Sequence, residues 1–150
     1  MQSHLLINTQ NIRNIFFAPI QENKILNNSN YTKILYSTDT ITLNGLYFHI
    51  SLNNIKYYKN FNKYYISFDN VTELYDIITL EKDILYKKFP KKQPTYSIFN
   101  IIQHKQLNFY SYKNIIITNP FSVVLKISGI WSNDHECGLT YRIYPSVIKK

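Results

Sequence analysis

The sequence predicts a mainly β protein, and three observations carry that expectation. Short runs of β-branched and aromatic residues alternate with polar ones along most of the chain, one central stretch has helical periodicity, and two longer alternating runs flank a polar turn near the end. With 150 residues the chain has the size of one domain, able to bury roughly two-thirds of the surface its unfolded form exposes. No internal repeat or linker divides it, so residues 1–150 are expected to form a single domain.

The elements follow in order. Ile12 to Ile20 reads as a first strand ending at Pro19, and Lys33 to Ser37 as a short second one. Between Thr40 and Leu52 the alternation is nearly regular, with Asn44 and Gly45 at an expected bulge. Beyond it Leu46, Phe48, Ile50 and Leu52 share one face, and Tyr47, His49 and Ser51 the other. The stretch NNIKYYKNFN reads as a polar, aromatic-laced loop, followed by a strand in KYYISFD with Tyr64, Ile66 and Phe68 on its apolar side. In NVTELYDIITLEKDILYKKF the period changes: Leu74, Ile77, Ile78, Ile84 and Leu85 repeat at helical spacing. Asn70 is the expected cap, with Glu73 completing a capping box, Lys87 and Lys88 suit the C-terminal end, and Pro90 stops the helix. Strands are expected again at Tyr96 to Ile102, Gln106 to Tyr112 and Ile115 to Thr118, then a closing hairpin of Ser122 to Trp131 with Gly138 to Tyr144. This order matches an OB-fold-like Greek-key barrel with one helix in the middle of the chain and an N-terminal β extension. A generic sandwich or jelly roll is the alternative.

Charge narrows the choice of function. Seventeen Lys and Arg oppose nine Asp and Glu, a net charge of +8 that attracts polyanions. The Asn, Ile, Lys and Tyr bias suggests an AT-rich coding sequence, so Lys abundance alone is discounted. The aromatic share of 16%, with Tyr supplying 14 residues, exceeds what one core requires. A single Cys excludes an internal disulfide and fits a reducing compartment. The N-terminal residues carry no signal-peptide pattern, and no apolar run has the ~20 residues a spanning helix needs. The expectation is a soluble cytoplasmic protein without membrane contact.

Catalytic signals are weak. The NDHEC run places Asp134, His135, Glu136 and Cys137 in succession, but consecutive residues cannot all face one ion, and no second ligand pair accompanies them. His4, His49 and His104 share no spacing, and three Gly cannot build a phosphate loop. No enzymatic activity, metal or cofactor is expected. The informative pattern is basic residues among aromatics, in KYYKNFNKYY, NFYSYK and TYRIY. Single-stranded nucleic acid needs cations along its phosphates and flat side chains under its unstacked bases. The expected contacts are Lys63, Lys113, Lys126 and Arg142 for phosphates, and Tyr47, Tyr65, Tyr110, Tyr112 and Tyr144 for bases. The predicted helix carries acidic residues, Glu73, Asp76, Glu81 and Asp83, and is a brace rather than a major-groove reader. A β-sandwich assembly protein using its aromatic surface for protein contacts is the alternative function.

The segment VVLKISGIWSNDHECGLTYRIY resembles the closing hairpin of single-stranded-DNA-binding proteins of large cytoplasmic DNA viruses and related linear cytoplasmic plasmids. Those carry a Lys on the incoming strand, then G[IL]W, a polar turn and GL[ST][YW][KR]; here these are Lys126, Gly129–Trp131 and Gly138–Arg142. The resemblance implies an OB-fold protein that coats single-stranded DNA during replication. The chain ends in VIKK, so recruitment of replication partners through an acidic tail is not expected. RNA in place of DNA, a homo-oligomer and replication proteins as partners are left open. Strict alternation puts Trp131 with Leu125, Ile127 and Gly129 on the core face, and Lys126, Ser128, Arg142 and Tyr144 on the other.

Overall fold

The computed structural model describes residues 12–22, 29–69 and 71–146; His4 and the expected cap Asn70 lie outside them. Over the described residues the chain is mainly β, with two α-helices, and its strands form two sheets.

In the larger sheet, β3 (Asn30–Ser37) carries β1 (Ile15–Phe17) and β2 (Gln21–Glu22) along one edge. These two pieces replace the single first strand expected from the sequence, because Pro19 cannot donate to the ladder. On the other edge β4 (Thr42–Leu43) turns back onto Tyr36 and Ser37. Through Asn44 and Gly45 the chain then passes into β5 (Leu46–Leu52), which leaves β3. Two strands from later in the chain complete the arrangement. The first is β10 (Phe121–Ser132), whose leading half pairs with β5 from Phe121↔Leu52 to Ile127↔Leu46, and whose last residues pair with β3 from Gly129↔Lys33 to Ser132↔Asn30. The second is β11 (Glu136–Pro145), paired with β10 along its length, with the short β8 (Gln93–Thr95) parallel to Glu136–Gly138.

The strand β10 therefore enters a fork between β5 and β3, and glycines make room where the three backbones meet. A Cβ on Gly129 would stand 2.5 Å from the Thr32 carbonyl oxygen, and one on Gly45, whose φ is +118, 2.8 Å from that of Ile127.

The smaller sheet is β6 (Lys56–Asn60), β7 (Lys63–Ser67) and β9 (Gln106–Tyr110), all antiparallel. Helix α1 (Thr72–Lys88) lies between β7 and β8 in the chain, and α2 (Ser97–His104) leads into β9. The core joins both sheets: Ile50, Val123, Leu125 and Ile127 from the larger, Tyr64, Ile66, Leu107 and Phe109 from the smaller, and Leu74, Ile77, Ile84 and Leu85 from α1. The Tyr64 and Phe109 rings stack at 5.1 Å, and Phe121 extends the contact to β10 at 6.1 Å.

Several expectations are corrected. Among the described residues β6, β7 and β9 share no ladder with the larger sheet, so the sheet is not closed into the expected Greek-key barrel. The stretch expected as a loop at 53–62 contains β6, all of whose side chains are exposed; it is held by its ladder to β7 rather than by a buried face. The strand expected at 96–102 is helix α2, with Ile98 and Ile101 buried three positions apart. Residues 115–118 alternate in burial but form no ladder, the Ile115 N–H donating instead to the Tyr64 hydroxyl at 3.1 Å. Val71 occupies the α1 N-cap and makes no side-chain bond there.

Candidate nucleic-acid interface

Two outward faces carry the basic and aromatic side chains. On the larger sheet Lys126 is paired with Tyr47 of β5 on one side and Arg142 of β11 on the other, so the three form a row. In the next row Val124 lies between His49 and Tyr144. The Lys126 Nζ is 5.4 Å from the centre of the Tyr47 ring, and the Arg142 guanidinium carbon 5.9 Å from that of Tyr144. Like charges directly opposite across a ladder are destabilising. An anion lying over Lys126 and Arg142 would relieve that repulsion.

On the smaller sheet the outward rows are Asn60–Lys63–Tyr110, Tyr58–Tyr65–Asn108 and Lys56–Ser67–Gln106. Tyr58 and Tyr65 stack with ring centres 4.5 Å apart and planes 12° from parallel. The Lys63 Nζ lies 5.0 Å from the Tyr65 ring centre and 5.4 Å from that of Tyr110. Desolvation works against the Lys63 ammonium, but the phenols of Tyr110 and Tyr65, hydrogen-bonded to it, outweigh that and hold its pKa above the ordinary Lys value. Lys63 is cationic at any physiological pH.

Two hollows lie along the edges of these faces. Among the described residues β11 has no ladder partner beyond Gly138 on the edge away from β10, and β9 pairs only with β7. Between them lies a cavity of about 730 Å³, with Tyr110 and Tyr112 on one wall and Tyr141, Arg142 and Tyr144 on the other. A second hollow of about 380 Å³ is lined by Phe61, Lys63, Tyr65, Tyr110 and Tyr112, so Tyr110 and Tyr112 border both. None of the nine acidic residues of the chain lines either one.

The β9 wall is positioned by an unusual cap. Glu81 of α1 is fully buried and accepts the N–H groups of Ile98 and Phe99 at 3.0 and 3.2 Å, satisfying donors at the start of α2 that its own N-cap, Tyr96, leaves without a side-chain partner. Burial pushes the Glu81 carboxyl above its ordinary pKa, the backbone N–H bonds opposing that only in part. Burial also raises the nearby Tyr141 phenol, and Glu81 adds to it. At its far end α2 closes on Lys105 in left-handed conformation, and β9 begins at the next residue. Glu81, one of the four acidic residues of the helix read as a brace, is thus a buried tertiary cap.

Of the residues expected to bind, Tyr47, Lys126, Arg142 and Tyr144 are brought together on the larger sheet, and Lys63, Tyr65, Tyr110 and Tyr112 on the smaller one and its edge. Lys113 is apart: it sits on the exposed loop after Tyr112, its N–H bonded to the Ser111 hydroxyl, and lines neither hollow. Ser128, expected beside Lys126, is instead taken up in a bulge where the β10 register shifts.

That shift also corrects Trp131. Ile130 and Ser132 become the buried positions and Trp131 turns to the outer face, half-buried, with its indole over Gly138, where a Cβ would meet it at 2.7 Å. In the adjoining turn the Asn133 side-chain oxygen accepts the N–H groups of His135 and Glu136, and Lys92 donates to the Asn133 carbonyl. Cys137 is a core residue whose thiol burial pushes up, Lys92 pulling the other way. No cluster of three metal-ligating side chains occurs among the described residues.

Two residues of the smaller face escaped the sequence reading. Tyr58 and Phe61 are 58% and 89% exposed, and both lie in the stretch read as a loop. No glycine marks the turn between Asn60 and Lys63, so the usual hairpin signal was absent there. No family model matches the chain, and no curated protein and no solved structure is measurably similar to it.

Proposed function

We propose that this chain binds single-stranded nucleic acid, single-stranded DNA in the first place, without catalysing a reaction on it. The observation that carries the reading is a pair of hollows that share Tyr110 and Tyr112, one lined also by Lys63 and Tyr65 and the other by Arg142 and Tyr144, both free of acidic side chains. Phosphates lie on Lys63, Arg142 and Lys126, and bases on the exposed rings, each stack contributing ~1–3 kcal/mol. Every base has a flat face, so sequence preference is weak. A duplex buries the faces that these rings need, and the acidic helix α1 offers no major-groove reader, so single strands are the preferred form.

The OB-fold-like relation belongs to this proposal: the long helix precedes the closing hairpin in the chain, and the ligand lies on sheet rather than helix. Coating of single strands during cytoplasmic replication is the setting that the hairpin resemblance implies. No described helix is long and apolar enough to cross a membrane.

Titration of a labelled oligothymidylate against salt tests the proposal. The affinity should fall steeply, the logarithm of the binding constant losing about 0.7 per phosphate neutralised for each tenfold rise in salt, and Tyr fluorescence should drop on binding. No binding at low salt ends the reading, and a stable oligomer in sedimentation without DNA affinity supports the assembly protein instead.

A further inference from the structure

The loop joining β6 to β7 contains a backbone outlier. Asn60 pairs with Lys63, so the loop is Phe61 and Asn62; φ is +55 at Phe61 and not positive at Asn62. Positive φ at only the first central residue belongs to the type II′ turn, where glycine is the fitting residue. Among the described residues two other non-glycine residues have positive φ, each with a local reason. Lys105 closes α2, and Asn54, of a residue type that tolerates this region, bonds Asp69 at 2.8 Å. Phe61 has no such reason, and with 89% of its surface exposed, packing does not offset the strain. What its ring does border is the hollow shared with Lys63, Tyr65, Tyr110 and Tyr112, the last of these 93% exposed.

We propose that Phe61 is a base-stacking residue: one unstacked nucleobase of a bound single strand enters this hollow against the Phe61 ring, with Lys63 on the adjacent phosphate. The inference rests on the single-strand reading above. It assigns the strained turn a purpose, holding an apolar ring clear of the protein where only a flat ligand can cover it. Phe offers no hydroxyl to the base edge, so the contact is indifferent to which base it takes.

Phe61→Gly tests this, because glycine adopts positive φ freely and preserves the turn. The variant should melt at or above the wild-type temperature, yet lose about tenfold in affinity for oligothymidylate. An abasic oligomer of equal length, with the same phosphates and no bases, should bind both proteins alike. Phe61→Asn, which also tolerates the backbone angle, should repeat the result. Equal affinity of variant and wild type for oligothymidylate, with steep salt dependence retained, overturns the stacking role and leaves the single-strand reading standing. Equal loss on the abasic oligomer, or an oligomer that Phe61→Gly dissociates while DNA affinity is unchanged, also overturns it. A wild-type protein that binds neither oligomer overturns both.

Discussion

The two outward faces draw on the same residue types in different proportions. On the larger sheet Lys126 and Arg142 are direct cross-strand neighbours, with Tyr47 and Tyr144 as their aromatic flanks. On the smaller sheet two cations, Lys63 and Lys56, stand at opposite ends of a face that carries Tyr58, Tyr65 and Tyr110, with Phe61 and Tyr112 beyond. The first face has as many rings as cations, and the second has more rings than cations. Salt screens interactions with exposed charges and leaves stacking nearly untouched. Under the proposed function the larger sheet therefore governs affinity at low salt, and the smaller sheet what survives at high salt.

The largest expected effect tests whether the smaller face depends on its support. In Glu81→Gln only one of the two N–H groups of α2 keeps an acceptor, and an amide NH₂ faces the other, so stability should fall by about 2 kcal/mol. A thermal melt reads this directly. The pH dependence has a definite sign. Burial holds the folded pKa of Glu81 above its ordinary 4.5, so the folded state binds this proton more tightly than the unfolded one. The contribution is fully present below that ordinary value and is lost as pH rises through the folded pKa; the Gln variant should lack this slope. Identical melts for both proteins across that range would show that the cap is not what positions β9.

Next in size is the double change Lys126→Ala with Arg142→Ala. Both side chains lie on the outer face, and removing their mutual repulsion should leave folding intact. The salt slope should flatten by about 1.4, two phosphates at roughly 0.7 each. A slope equal to wild type would remove the larger sheet from the interface and erase the contrast between the faces. The smallest effect belongs to Tyr110→Leu, which keeps an apolar residue on β9 without the ring. Affinity should drop about fivefold at every salt concentration, a stack of ~1 kcal/mol, with the slope unchanged. If its loss vanishes in high salt, Tyr110 acts through Lys63 rather than by stacking.

Much of this arrangement could be read from residue patterns. Alternation in β5, in β7 and in the first half of β10 placed Leu46, Ile66 and Leu125 inward and Tyr47, Tyr65 and Lys126 outward, because a strand that buries one face must repeat every two residues. The helical rhythm of α1 was legible for the same reason. β6 was not, since a strand with no buried face has no apolar alternation to show.

Sequence by itself thus determined the periodic elements, the acid-poor basic surplus and the excess of tyrosine, all of which are local or additive properties of the chain. Tertiary structure alone decided the rest. The start of α2 is held by Glu81, 17 residues earlier, which accepts the Ile98 N–H, a partner that no local window contains. Trp131 faces outward because β10 bulges at Ser128 on passing from β5 to β3, and one inserted residue reverses every face after it. The meeting of Tyr110 and Tyr112 with Arg142 and Tyr144 across one groove depends on where two sheets lie, which is set by a shared core built from residues throughout the chain.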